Sequence, residues 1–464
     1  MSVAPRPHPV SQQGGEGGPA GDPESEPAPG SVADWVARDA AVVWHGFTQM
    51  AAYADNSPLV VTAAQGRELI DVAGNRYLDA ISSLWVTTLG HRVPELDEAV
   101  RRQLDRVAHS TLLGNGSTVV VELAEALAEV VPVERPHFLF AADGAVAVEQ
   151  ALKIAVQYWA NEGEPGRTRF LALGGAYHGD TVGALSLGDD GFYSAVFDPL
   201  RFPVLRTPGY ADPGWAAKAV AAVGAHADEL AAVVVEPLVQ GASGMLCAEP
   251  ADVAALGEAC RRAGVLLICD EVATGFGRTG TLFASEQCGL RPDLLCLGKG
   301  ITGGYLPMST TVASDRVFGG FLGEDLGPRT FFHGHSYGGN ALAAAVALEH
   351  LRLIRRPEVL DNVAARAVQL GRRLDRLGRH PTVGSWRQRG LMAGVELAPP
   401  GPGLRWGRRA CAGAVRGGVL LRPLGDVVVL MPPLTVTAAE VDRMVDALEV
   451  SLDELVAGPP AGRA

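Results

Sequence analysis

From about residue 110 to residue 315 the chain alternates short, nearly unbroken apolar runs with longer stretches of helical spacing, and few folds accept that order. The runs HFLF (137–140), RFLAL (169–173), AAVVVE (231–236), VLLICD (265–270) and DLLCLG (293–298) are apolar at odd and even positions alike. A strand with one wet face alternates with period two, so strands of this kind need cover on both faces. The intervening VVVELAEALAEVV (119–131) and ADVAALGEACRRAG (251–264) have the length and spacing of covering helices. The segment predicts an α/β domain built on a mainly parallel sheet.

The flanks read differently. ELIDV (68–72) and RYLDA (76–80) surround Ala73-Gly74-Asn75 and predict a β-hairpin. Beyond residue 340 helices return, followed by a strand pair near VLLRP (419–423) and VVVLMPP (427–433). A last helix carries apolar Val441, Met444, Leu448, Leu452 and Leu455, opened by a capping box from Thr437 to Glu440. The chain divides into a disordered Pro/Gly-rich extension (1–32), the N-terminal part of a small domain (33–85), a large domain (86–345), and the C-terminal part of the small domain (346–464).

A net charge of −13 argues against a general nucleic-acid or anionic-membrane partner. No apolar run approaches the roughly 20 residues that cross a bilayer, and the N-terminus lacks the order of a secretory signal; a cytoplasmic protein is expected. The six cysteines form no CxxC pair and lie mostly in apolar context, which predicts buried free thiols, with no metal site.

Among 39 basic residues only Lys153, Lys218 and Lys299 are lysines. Where either cation serves, this chain uses arginine, so a surviving lysine invites the question of what arginine cannot do. Covalent chemistry at an amine is one answer, because guanidinium is effectively never deprotonated. Lys153 follows Glu149 by four residues, and an i,i+4 ion pair explains it. Lys218 fits a solvated helix position. Lys299 stands after the strand DLLCLG and before a glycine-rich turn, at a carboxyl strand end where ligands gather in such sheets.

Asp270 ends the run VLLICD, and a carboxylate there suits either a helix cap or a protonated ring nitrogen. The turn Asp143-Gly144-Ala145 follows HFLF and opens a helix, an arrangement that presents backbone N–H groups to a phosphate. Tyr177 in AYHGDT can stack on a ring or pack at a loop base. Arg422 can clamp a carboxylate, or stand as a surface residue.

Taken together, CDEVATGFGRTG (269–280), LCLGKGITGGYLP (295–307), VVVEPLVQGASG (233–244), AYHGDT (176–181), FFHGHSYGGN (331–340) and LRPLGDVVVLMPP (421–433) resemble the class III (ω-) aminotransferases over about residues 40–455. Within them the chain is similar to the branch that converts 8-amino-7-oxononanoate to 7,8-diaminononanoate in biotin synthesis. The resemblance implies a type I pyridoxal-phosphate fold working as a homodimer with shared active sites. It implies pyridoxal 5′-phosphate on Lys299, with Asp270 at the pyridine nitrogen and Tyr177 on the ring and substrate. Gly144 and Ala145 match the phosphate turn, and His335 and Ser336 match a pair that the second subunit adds to it. Leu84, Trp85, Gly334 and Arg422 match substrate contacts, Arg422 at the substrate carboxylate. Amination of another ω-amino acid or amine is the alternative activity.

Three departures stand out. The phosphate turn usually reads Ser-Gly-Ser, and here a carboxylate enters at Asp143 and a hydroxyl is lost at Ala145. Asp143 must therefore point away from the phosphate or be paired. Members using S-adenosylmethionine carry a Trp-Trp pair and an N-terminal Tyr; this chain has Leu84-Trp85 and Phe47. With AHSTLLG (108–114), these changes resemble a branch that uses lysine as amino donor, so both donors stay open.

Overall fold

The computed structural model describes residues 28–189 and 194–457. By contacts the chain forms two compact units, one running up to Thr62 with Asp71–Gly74, the other comprising Ala63–Ile70 and everything from Asn75 onward. All but the last five residues of the expected Pro/Gly-rich extension lie outside the described residues. At its end Ser31 caps helix α1 (Val32–Val42), its hydroxyl accepting from Asp34 N at 3.1 Å.

Strands β1 (Val61–Gln65), β2 (Glu68–Asp71), β3 (Arg76–Asp79) and the late strand β15 (Val419–Leu420) form a sheet in the order β1-β2-β3-β15. The hairpin is as expected, with Leu69 opposite Tyr77. β15 pairs parallel with β3, Val419 beside Leu78, so segments from both flanks of the chain meet in one sheet.

The central sheet has seven strands: β4 (His137–Ala141), β5 (Arg169–Leu173), β6 (Leu205–Thr207), β7 (Leu230–Val235), β10 (Leu266–Asp270), β11 (Leu294–Leu297) and β12 (Ser309–Ala313). Their order is β4-β12-β11-β10-β7-β5-β6, and a two-strand ribbon, β8 (Val239–Gln240) and β9 (Leu246–Cys247), comes after β7 in the chain. All five apolar runs are strands. Every residue of β7 is buried, as the absence of alternation required. Burial of each such Val or Leu contributes roughly 1.5–3 kcal/mol. The covering helices include α2 (Thr118–Ala128), α3 (Gly144–Asn161), α4 (Val182–Leu187) and α5 (Pro250–Ala263).

One central strand escaped the periodicity. β12 runs antiparallel between β11 and β4, and its core is Ser309-Thr310-Thr311. Its hydroxyls are buried yet satisfied: Ser309 Oγ donates to Asp143 O at 2.6 Å and Thr311 Oγ1 to Ala147 O at 2.7 Å. Polar residues in a core strand are tolerated because they fasten the first turn of α3.

C-terminal to α6 (Ala341–Ile354) and α7 (Pro357–Leu377), β13 (Val383–Arg389), β14 (Met392–Leu397), β16 (Arg422–Leu424) and β17 (Val427–Leu430) make a third, antiparallel sheet. The expected pair β16–β17 is present, whereas β13 and β14 were read as helical territory. α8 (Ala438–Ala457) is capped reciprocally: Thr437 N donates to Glu440 Oε2 at 2.8 Å and Glu440 N to Thr437 Oγ1 at 3.3 Å. All six cysteines are free thiols, five of them buried. Among the described residues no helix is long and apolar enough to cross a membrane, and no His/Cys/Asp/Glu cluster could hold a metal ion.

Candidate active site

Parallel strands deliver their succeeding residues to one edge. β7, β10 and β11 are neighbours, with Cys269 beside Val235 and Asp270 beside Cys296, so Glu236, Asp270 and Lys299 emerge at adjacent carboxyl ends. They open into a cavity of about 480 Å³, lined also by Trp85, Gly144, Ala145, Tyr177 and His178. Thus Lys299, Asp270, Tyr177, Gly144, Ala145 and Trp85, six of the expected site residues, share one space.

Lys299 comes after Gly298 with φ of 37°, a left-handed conformation that aims it off the strand end. Its Nζ lies 5.0 Å from the centre of the Trp85 ring. Burial pulls the amine below its ordinary range, and Asp270 and Glu236 pull against that. Asp270, 6% exposed, accepts from Val272 N at 3.0 Å and from His178 Nδ1 at 2.7 Å. Burial alone would lower His178, but the Asp270 hydrogen bond and charge, with Glu236 behind them, raise it. Its Nε2 is buried and unpaired.

Tyr177 presents its hydroxyl to Asp180 Oδ2 at 2.9 Å and its backbone N–H to Glu236 Oε1 at 3.1 Å. Burial and these carboxylates hold the phenol well above its usual range. Glu236 is buried and pushed up to about 7, first by burial.

The helix that begins at Gly144 has Asp143 as its N-cap: Asp143 Oδ1 accepts from Val146 N at 3.0 Å. The carboxylate is therefore paired within its own turn. Gly144 has no room for a side chain, since a Cβ would lie 2.6 Å from Val272 Cγ1. The glycine keeps the backbone bare where an anion would approach.

Trp85 reaches the cavity through four successive left-handed residues, Ser82, Ser83, Leu84 and Trp85, with φ between 48° and 73°. Non-glycine residues pay roughly 1–2 kcal/mol each for this conformation. Ser82 Oγ offsets it by donating to Met431 O at 2.7 Å, and Ser83 N and Oγ by donating to Asp79 at 2.8 and 2.7 Å. The twist sends Trp85 inward and leaves Leu84 46% exposed.

Gly334 and His335 line a different cavity, of about 520 Å³, with Leu113, Phe138 and Phe140. Ser336 is exposed, and its carbonyl accepts from His109 Nε2 at 2.8 Å. Arg422 is exposed on β16 and does not line the Lys299 cavity. Phe47, in the first unit, is exposed with φ of 53°.

Lys153 corrects the expected ion pair. Glu149 turns instead to α4, accepting from Gly183 N at 2.7 Å and Ala184 N at 3.2 Å, while Lys153 Nζ meets His333 Nδ1 at 3.0 Å. Lys218 pairs with Asp212 at 2.6 Å. Sequence reasoning missed four groups around the site: His178, Glu236, Glu271 and Arg278. Buried Glu271 holds the turn after Asp270 to Ala284 N and Ser285 N at 2.6 and 2.9 Å. Buried Arg278 donates to Pro432 O at 2.7 Å and Thr87 O at 2.9 Å. Glu236 was visible in principle, because it ends AAVVVE as Asp270 ends VLLICD.

Comparison with known proteins gives a consistent result. The family model for aminotransferase class-III matches residues 49–452. An adenosylmethionine-8-amino-7-oxononanoate aminotransferase of Nitratidesulfovibrio vulgaris is 47% identical, over 88% of this chain and 79% of that protein. The protein of that name from Geobacter sulfurreducens is 40% identical over 92% and 98%. Among solved structures, that of the Methanocaldococcus jannaschii protein of the same name has a TM-score of 0.88 at 36% identity, covering 90% of this chain and 98% of that one. An amine transaminase from an uncultivated Pseudomonas species, in its PLP-bound form, has a TM-score of 0.84 at 35% identity, covering 89% and 98%.

Proposed function

The chain belongs to the class-III aminotransferases, and from that premise we propose that it is a pyridoxal-phosphate enzyme aminating 8-amino-7-oxononanoate to 7,8-diaminononanoate, a step of biotin synthesis. The observation that carries the reading is the meeting of the one cavity-facing lysine, Lys299, with Asp270 on the neighbouring strand end. Relatives named for that reaction, at 40–47% identity over most of the chain, supply the substrate.

The cavity fits the cofactor. The turn at Gly144 opens α3 on the wall of this cavity, with no space for a Cβ against Val272, and Asp143 caps Val146 N there. The buried Asp270 is braced by His178, as a carboxylate facing a protonated ring nitrogen should be. The amine of Lys299 is partly desolvated. When bound, pyridoxal phosphate supplies the electron sink that lets a donor α-carbon release its proton.

The chain's own groups do the rest. Gly144 and Ala145 N–H bind the phosphate, and Tyr177 covers the ring. Asp270 holds the proton on the pyridine nitrogen, and His178 Nδ1–H fixes the orientation of Asp270. Lys299 Nζ would take up and return the proton of the donor α-carbon. Trp85 lies along the apolar chain of the substrate, while Arg422 for its carboxylate, and Leu84 and Gly334, none of which lines the Lys299 cavity within one chain, are assigned to the substrate by family resemblance alone. The working unit is a homodimer in which His335 and Ser336 of the partner subunit complete the phosphate site. Exposed Leu113, Phe332 and Tyr337, each more than 60% accessible near that loop, support a buried interface there.

The likeness to the Pseudomonas amine transaminase favours a second reading, transamination of another amine. A single-turnover absorbance experiment separates them. Lysine and S-adenosylmethionine are added separately to the cofactor-loaded protein, and 8-amino-7-oxononanoate afterwards. Conversion of the visible band by one donor, and its return with the ketone, establishes reaction and donor together. Conversion only by simple amines paired with pyruvate overturns the biotin assignment.

A further inference from the structure

Glu236 is a buried carboxylate with a defined reach and no part in the chemistry described so far. It stands directly after β7, 7% exposed, on the wall of the Lys299 cavity. One oxygen accepts from Tyr177 N at 3.1 Å and the other from Gly241 N at 3.3 Å. Gly241 in turn lies against the Trp85 indole: a Cβ there would meet Cζ3 at 3.1 Å. The carbonyl of Glu236 accepts from Tyr210 OH at 2.6 Å, fixing the residue at its root.

A single side chain thus ties the loop carrying Tyr177 to the loop that backs Trp85, and Lys299 Nζ sits 5.0 Å from that indole. A carboxamide could not replace the carboxylate, because its NH₂ would face one of the two N–H donors. The groups facing Glu236 are Tyr177 and His178 from the loop after β5, Tyr210 from the loop after β6, Asp270 from β10 and Lys299 after β11.

We propose that Glu236 is a positioning residue for Lys299: its two oxygens hold the two walls between which the amine works, and its carboxylate stands with that amine on the wall of one cavity. The proposal rests on the assignment of this cavity to pyridoxal phosphate. Direct electrostatics agree in sign: Glu236 acts on Lys299 in the same direction as Asp270, against burial and the buried Arg278 guanidinium.

The test is a spectrophotometric pH titration of the visible band of lysine-bound pyridoxal phosphate, in wild type, Glu236→Gln and Glu236→Asp, with cofactor affinity measured by equilibrium dialysis. Glu236→Gln should move the titration midpoint down, by about one pH unit where that midpoint lies above the value of about 7 to which burial pushes Glu236, since only there is the full charge lost. Glu236→Asp keeps the charge and shortens the reach, so it should titrate near wild type while binding cofactor several-fold more weakly. A Glu236→Gln midpoint equal to wild type, with only the melting temperature lowered, leaves a merely structural residue and overturns the inference alone. If Glu236→Gln fails to fold, a midpoint in Glu236→Asp displaced by about a full unit overturns it equally. A wild-type protein that forms no visible band with pyridoxal phosphate overturns the functional reading, and the inference with it.

Discussion

Replacing Asp143 by Ser should tighten cofactor binding without loosening the fold. Asp143 Oδ1 accepts from Val146 N at 3.0 Å, so the carboxylate stabilises the first turn of α3 through a cap and through the helix dipole. A phosphate bound at Gly144 and Ala145 would draw on that same positive helix end. Ser caps a helix about as well as Asp, so stability should stay within about 0.5 kcal/mol. What changes is one negative charge beside an incoming dianion. Asp143 is exposed, so solvent screens the repulsion to about 1 kcal/mol at most, or roughly a three- to fivefold change in Kd. Equilibrium dialysis against pyridoxal phosphate at low and high ionic strength measures it directly. Asp143→Asn keeps size and cap without charge and should show the same gain, which salt should erode in both variants. Unchanged affinity in both, or a gain indifferent to salt, would refute the electrostatic argument.

Three further outcomes are expected. Lys299→Arg and Lys299→Ala should abolish the visible band and turnover, whereas Lys153→Arg and Lys218→Arg, which only preserve surface contacts to His333 and Asp212, should keep both within about twofold; a band in either Lys299 variant contradicts the assignment. Gly144→Ala should cost roughly 1–3 kcal/mol in a melting experiment and weaken cofactor binding, because its Cβ would lie 2.6 Å from Val272 Cγ1. Adding Val272→Ala should restore part of the loss, and no restoration would show that the clash is not the cause. His350 is fully buried against Thr88 Oγ1 at 2.6 Å, and burial depresses it to about 3. A depressed group contributes stability above its unfolded value near 6.5 that is lost as pH falls toward about 3. His350→Gln should therefore flatten acid denaturation in that window by on the order of 1 kcal/mol per pH unit, and an unchanged slope would assign the acid sensitivity elsewhere.

Wherever burial on both faces or a local cap decides the structure, one stretch of sequence carries the information. β7 is apolar at every position and buried at every position, and Thr437 with Glu440 forms the cap their spacing called for. β12 resisted because its hydroxyls find partners on α3, more than 150 residues earlier in the chain. The Lys153–Glu149 pair failed for a related reason: backbone N–H groups at the start of α4 compete for the same carboxylate. The left-handed turn at Ser82–Trp85 carries no glycine to announce it. It depends on Met431 and Asp79, and only the tertiary fold brings Met431 there.

The strand-end residues form one electrostatic unit, and that explains why buried carboxylates are kept at such expense in desolvation. Burial drives the Lys299 amine toward neutrality, the state that can attack and accept a proton. Asp270 and Glu236 act against burial and favour the cation, the state that can return the proton. An apolar cavity would trap the amine neutral, and two carboxylates with full solvent access would leave it charged. Burial and the two carboxylates therefore act on the Lys299 amine in opposite directions within a single cavity. His178 and the N–H groups of Tyr177, Gly241 and Val272 occupy the carboxylate oxygens that burial would otherwise strand. Each charged group in the site is thus positioned by a neighbour whose own removal should appear first in the protonation of Lys299, and only afterwards in stability.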